Sequence, residues 1–192
     1  ASVTVAWAVY EDAALTRPVT GGDVVTDGER DFTVKVDVDG LQPGQAYWYQ
    51  FAVDDALSPV GRGKTLPAGS PERVRLGVAT CGDYSRGLWN AYARLAERDD
   101  IDLFLHLGDY IYETDRDAVR AHVPPIDVVT VDDYRARYAS YRREPELQAL
   151  HAAHPMIWVW DDHETVDGTW SGGADPNDHD PQIHGPIEVR QA

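Results

Sequence analysis

An all-β amino-terminal domain followed by an α/β domain with a mostly parallel sheet is the fold class this sequence predicts. Residues 1 to 68 alternate apolar and polar positions between Gly/Asp turns, whereas residues 72 to 192 alternate short, wholly apolar runs with stretches of helical spacing. Between the two regimes lies Leu66-Pro67-Ala68-Gly69-Ser70-Pro71, a composition suited to a linker.

In the first region Ser2 to Tyr10 reads as a strand with Val3, Val5 and Trp7 on one face. Asp31 to Val38 repeats the pattern through Phe32, Val34, Val36 and Val38, and Tyr47 to Val53 repeats it through Tyr47, Tyr49 and Phe51. Gly21-Gly22, Asp27-Gly28 and Asp39-Gly40 read as the turns. Leu41-Gln42-Pro43-Gly44 leads straight into strand-borne Tyr47, which resembles the tyrosine corner of immunoglobulin-like and fibronectin-type sandwiches. The expectation is a small all-β sandwich with a structural Tyr47.

In the second region Val74 to Thr80 is an apolar strand ending at Cys81, and Ser85 to Arg98 carries Leu88, Trp89, Tyr92 and Leu95 at helical spacing. A second apolar strand, Ile101 to Leu107, ends at Gly108-Asp109. Strand, helix and strand make a βαβ unit, whose right-handed crossover sets the two strands parallel. Thr114 to Val129 is charged, contains Pro124-Pro125, and reads as a long loop near the strand ends. Thr130 with Asp133 forms a capping-box signature for a helix to about Arg143, with Tyr134, Tyr138 and Tyr141 on one side. Pro145 restarts a helix to about Ala153, and the strand Met156 to Trp160 ends in Asp161-Asp162-His163-Glu164. From Gly168 to Pro186 there is no periodicity, so the segment is either mobile or ordered only by what it binds. Ile187 to Ala192 reads as the first turn of a helix.

The formal net charge of -16 argues against a nucleic-acid surface, because such binders neutralise phosphates with Lys and Arg. An anionic substrate would need a local source of positive charge, which bound metal cations supply. The single cysteine excludes an internal disulfide. No run approaches the ~20 apolar residues of a membrane helix. No basic, then apolar, leader opens the chain, which starts like a mature or trimmed product.

Cys81, Asp109, Tyr112, Asp162 and His163 all sit at or just beyond strand carboxyl ends, the edge where open α/β sheets bind ligands. A lone Gly-Asp-x-x-Tyr could be a capping Asp and a packed Tyr, but three strands each delivering metal-type donors weigh against that. Thiolate and phenolate suit iron or zinc, and carboxylate with imidazole serves many divalent ions. A carboxylate has two oxygens, so Asp109 could bridge two ions roughly 3.5 to 4 Å apart, an arrangement that clamps phosphoryl groups and acidifies water.

Gly108-Asp109-x-x-Tyr112 and Asp161-Asp162-His163-Glu164, with Ala79-Thr80-Cys81 before them, resemble the motif blocks of the purple-acid-phosphatase-like metallophosphoesterases. The similarity is greatest to the PhoD-type alkaline phosphatase and phosphodiesterase family, which includes metal-dependent phospholipases D. The resemblance spans the chain and implies a β-domain followed by the first half of a metallophosphoesterase domain. It also implies that Cys81 and Tyr112 bind ferric iron, with zinc or manganese as substitutes, and that Asp109 bridges it to calcium. Asp162 would bind the second ion, and His163 would contact the phosphate or protonate the leaving oxygen. Glu164 would orient these groups, and Asp161 would either orient them or be a ligand.

Two departures qualify the resemblance. Gly82-Asp83 follows Cys81, which changes the local substrate contacts, and the later histidine blocks of the family have no counterpart. His179 and His184 lie in the aperiodic tail and read as solvated, whereas His106, within its strand, reads as a hydrogen-bonded core histidine. The resemblance therefore implies the amino-terminal part of a hydrolase of phosphoric esters, possible substrates including phospholipids, completed by a carboxyl-terminal fragment as a second polypeptide. It implies export from the cytoplasm as well. The alternative is a non-catalytic module that binds calcium or a protein partner.

Overall fold

A computed structural model of the chain describes residues 1–115, 119–171 and 173–174, which form two compact units. The expected terminal helical turn and both tail histidines, His179 and His184, lie outside the described residues.

The first unit holds one antiparallel sheet built from β1 (Ser2–Tyr10), β2 (Pro18–Asp27), β3 (Ala46–Val53), β4 (Ala56–Leu57) and β5 (Gly61–Lys64). Its order is β2-β1-β3-β4, and β5 also pairs with β3. Val5, Val9 and Tyr47 are its buried hydrophobic side chains, as the alternation in β1 and β3 requires. The Tyr47 hydroxyl accepts the Gln42 N–H at 2.8 Å, so the corner forms as expected.

Two expectations are corrected here. Gly21-Gly22 is no turn but lies inside β2, opposite Ala8 and Trp7. A Cβ at Gly21 would stand 2.7 Å from the Trp7 carbonyl and one at Gly22 would stand 3.3 Å from its indole nitrogen. These glycines therefore mark a close strand approach, not a reversal. Asp31 to Val38 carries no strand. Asp31 and Phe32 take positive φ (51° and 53°) as the chain leaves a short 3-10 turn capped by Asp27. Val34, Val36 and Val38 are alternately half-buried all the same, so the period was right and the ladder was not.

The second unit contains the parallel sheet β6 (Leu76–Ala79), β7 (Leu103–His106) and β8 (Met156–Trp158), in that order. Three helices accompany it in sequence: α1 (Asn90–Ala96), α2 (Val131–Arg142) and α3 (Pro145–Ala153); a small hairpin, β9 (Thr169–Trp170) and β10 (Gly173–Ala174), follows. On one sheet face Gly77, Phe104 and Met156 align and meet a core of Trp89, Tyr92, Tyr110, Ile111, Tyr141, Leu147 and Leu150. The opposite face aligns Val78, Leu105 and Ile157, of which Val78 and Ile157 are more than half exposed. Parallel sheets are ordinarily covered on both faces.

Helix α1 is shorter than its periodicity predicts. Asp83 instead caps a 3-10 turn at Tyr84–Arg86, Gly87 follows in an extended conformation, and Leu88 is left exposed. The capping box of α2 forms, with Thr130 Oγ1 accepting the Asp133 N–H and Asp133 accepting the Thr130 N–H.

Candidate metal centre

The loops beyond β6 and β7 continue the hydrogen-bonding of their strands. Leu107 N–H donates to Ala79 O at 2.9 Å, Cys81 N–H to Gly108 O at 3.3 Å, and Gly82 N–H to Asp109 O at 3.2 Å. Cys81, Gly108 and Asp109 all have positive φ, at 57°, 102° and 52°. For the two non-glycine residues this conformation costs about 1–3 kcal/mol each and persists only where neighbours enforce it.

Glu164 is one such neighbour. Its carboxylate, buried beyond the end of β8, accepts the N–H groups of Asp109 (3.1 Å), Tyr110 (2.6 Å) and Asp161 (3.0 Å). One side chain thus ties the backbone after β7 to the backbone after β8. Gly108 is confined in the same place, because a Cβ there would stand 2.5 Å from the Asp161 backbone nitrogen.

Within this frame the sequence-predicted donors converge. The Tyr112 hydroxyl donates to Asp109 Oδ2 at 3.2 Å, and the Cys81 sulfur lies 3.3 Å from the Thr80 hydroxyl. Asp109, Asp162 and His163 each offer a ligand atom within 4.8 Å of the others. The Tyr112 and His163 rings face each other at 4.1 Å. Asp162 is steadied by the Gly168 N–H, donated to its Oδ2 at 2.7 Å. Cys81 and Asp161 lie outside the compact trio, and both are exposed.

The electrostatics are those of a cage short of positive charge. Burial pushes the Asp109 carboxyl up, aided by Asp162, against the lowering effects of Cys81 and His163. Burial likewise raises the Tyr112 phenol, and the charges of Asp109 and Cys81 add to it. The Asp109 carboxyl and the Tyr112 phenol both hold their protons more tightly here than in water, and a cation would offset that. Asp109 Oδ1 is buried and has no hydrogen-bond partner, the condition of an oxygen suited to an ion. The donor set therefore fits a metal.

Burial alone would push the His163 imidazole down. Its hydrogen bond to Glu113 and the charges of Glu113, Asp109 and Asp167 outweigh that and raise it to about 9. His106, by contrast, is a buried core residue with Nε2 3.1 Å from the Tyr92 hydroxyl, and burial pushes it down to about 4.

Several supporting residues had no signal in the sequence. Glu113 is fully buried and meets His163 Nδ1 at 2.7 Å, across 50 positions of chain. The Tyr141 hydroxyl lies 3.2 Å from Tyr84 N, from Tyr112 N and from His122 Nε2, so one oxygen holds the loops after β6 and β7. Buried Arg137 donates to the carbonyls of Tyr112, Thr114, Pro124 and Ile126 and fixes the irregular segment between β7 and α2. Periodicity marks Tyr141 and Arg137 as helix residues but says nothing of their polar partners.

Known proteins resemble this chain in sequence and in fold. The chain is 38% identical over 172 residues to the alkaline phosphatase D of Bacillus subtilis (strain 168), covering 85% of this chain and 29% of that protein. A solved structure described as the structure of PhoD superposes with a TM-score of 0.86 at 34% identity, covering 98% of this chain and 36% of that one. The chain thus spans about a third of the length of these relatives. Residues 1–67 match the PhoD-like phosphatase N-terminal domain, and residues 76–192 match the PhoD-like phosphatase domain itself. The chain belongs to the PhoD-like phosphatase family.

Proposed function

We propose that this chain carries the amino-terminal part of a metal-dependent phosphoric-ester hydrolase, with Cys81, Asp109, Tyr112 and Asp162 as metal ligands and His163 as proton donor. The observation that carries this reading is the partnerless, buried Asp109 Oδ1 beside Asp162 and His163, donors from two strand ends. Ferric iron would suit Cys81 and Tyr112 and calcium would suit Asp162, with Asp109 available as a ligand to either. When bound, the ions would supply positive charge for the phosphate and an acidified water as nucleophile.

The chain's own residues supply the rest. Glu164 holds the Asp109 backbone in its left-handed conformation, so the Asp109 carboxylate would be set for a metal before substrate arrives. His163 meets Glu113 through Nδ1, and its other ring nitrogen can pass a proton to the leaving oxygen as the P–O bond breaks. The acidic site repels an anionic ester until cations are in place, which makes metal loading a condition of substrate binding.

A further part of the protein completes the fold and the cage in this reading. The exposed apolar face bearing Val78 and Ile157, and the 29% coverage of the Bacillus relative, support it. The tyrosine corner supports an immunoglobulin-like sandwich for the first unit. Preference for monoesters or for diesters such as phospholipids is decided by pocket walls that these residues do not supply alone.

Metal analysis of the purified protein, beside assays on a nitrophenyl phosphate monoester, a diester and a choline phospholipid, tests the reading. Iron with calcium, a visible phenolate charge-transfer band and turnover of at least one ester are expected. Metal-free, colourless protein that stays inactive after metal is supplied, with the carboxyl-terminal part present, would overturn it.

A further inference from the structure

We propose that Glu113 is the positioning residue that sets the tautomer and ring plane of His163, so that Nε2 is the nitrogen presented to the leaving oxygen of the ester. This rests on the reading of His163 as proton donor.

Glu113 is fully buried, yet it is a carboxylate, and both of its oxygens are committed. Oε2 meets His163 Nδ1 at 2.7 Å, and Oε1 accepts the Asp167 N–H at 2.8 Å. A buried carboxylate is costly unless its hydrogen bonds are good, and here they join the segment after β7 to the loop after β8. The carboxylate is itself held firmly. The Glu113 carbonyl accepts the Val128 N–H at 2.9 Å, and Arg137 grips the carbonyls of Tyr112 and Thr114 on either side. The Tyr112 ring, 4.1 Å from the imidazole centroid, limits rotation from the remaining side.

A competing carboxylate makes the tautomer a matter of choice. Asp167 Oδ1 lies 4.0 Å from His163 Nε2 and would draw the proton to that nitrogen. Glu113, closer and buried, draws it to Nδ1. With Nδ1 committed as a donor, Nε2 is the nitrogen whose proton can leave for the alkoxide and be replaced. A histidine with a hydrogen-bonded far nitrogen is a common device for fixing ring orientation.

Glu113→Gln tests this without changing side-chain volume. The single accepting oxygen must serve the Asp167 N–H, which turns the amide NH2 toward His163 Nδ1 and forces that nitrogen to accept. Nitrogen-15 spectra of metal-stripped protein at alkaline pH, where the ring is neutral, should show the Nδ1–H tautomer in the parent and the Nε2–H tautomer in the variant. In the metal-loaded, active protein the same variant should lose kcat by about 10- to 100-fold on an alkyl phosphate, whose leaving oxygen needs a proton. On a nitrophenyl ester it should lose less than about threefold, with KM unchanged on both. If Glu113→Gln fails to fold, Glu113→Asp, which withdraws the carboxylate by one methylene, is read in the same two ways. An unchanged tautomer, or equal losses on both esters, overturns the proposal. His163→Asn separates the two readings: if it lacks the leaving-group dependence, the proton-donor role fails, and the positioning role is then decided by the nitrogen-15 spectra alone.

Discussion

Glu164 accepts the backbone N–H of Asp109 at 3.1 Å although 55 positions of sequence separate them, and that contact holds a non-glycine residue at a φ of 52°. The carboxylate also satisfies Tyr110 and Asp161 N–H groups, so its removal strands donors on two loops at once.

Glu164→Ala should therefore cost roughly 3 kcal/mol of stability, from donors left buried without partners. Metal affinity should fall with it, because the Asp109 carboxylate loses its fixed position. Urea unfolding beside calorimetric metal titration measures both; a variant as stable as the parent would contradict this account of the loop.

Gly108→Ala should destabilise by roughly 2 to 4 kcal/mol, since a side chain there meets the Asp161 backbone at 2.5 Å and the φ of 102° disfavours any L residue. Gly87→Ala is the internal comparison. Gly87 is extended with nothing within 4 Å of a new Cβ, and the change should stay within about 0.5 kcal/mol. Thermal melts of the pair would show whether the conformation or mere loss of glycine matters.

His106 gives a pH dependence with a definite sign. Burial lowers it from 6.5 to about 4, so between those values the unfolded chain takes up a proton that the folded one refuses. Its contribution is intact above pH 6.5 and is lost as pH falls toward 4, by up to roughly 3 kcal/mol. His106→Gln, which keeps a partner for Tyr92, should be less acid-sensitive than the parent in this window. Parallel stability-versus-pH curves would refute the assignment.

Tyr141→Phe removes the oxygen shared by Tyr84, Tyr112 and His122, and should cost about 1 to 3 kcal/mol. Hydrogen exchange should accelerate at the amides of Tyr84 and Tyr112 first. Unaltered protection at both would show that other contacts hold these loops.

If Cys81 holds iron as proposed, Cys81→Ala should abolish the visible band and the iron content of the purified protein, and with them any hydrolysis of monoester and diester. Elemental analysis with both assays checks it, and near-normal turnover would remove Cys81 from the metal set.

Much of the second unit was legible because its signals are local. Apolar runs gave three strands, Thr130 and Asp133 announced α2, and Pro145 announced α3. The candidate donors were legible for the same reason, since each lies directly beyond a strand. What escaped was whatever depends on distant partners. Gly21 and Gly22 look like a turn until Trp7 is laid across them, and Val34 to Val38 alternates correctly, with Phe32 left exposed, but finds no strand to pair with. Glu113 follows Tyr112 in every reading of the motif, yet its meaning lies in His163 and Asp167, which no local pattern connects to it.

The hydrogen bonds from Cys81 N to Gly108 O and from Gly82 N to Asp109 O carry the ladder past the ends of β6 and β7. Donors mounted there inherit the interval between neighbouring strands, about 4.8 Å, as a fixed pitch. If a metal sits here as proposed, exchanging one donor type for another would change the ion preferred while leaving the spacing of the seats untouched. On that reading selectivity for the metal would be written in side-chain chemistry, and the gauge of the cage would belong to the sheet.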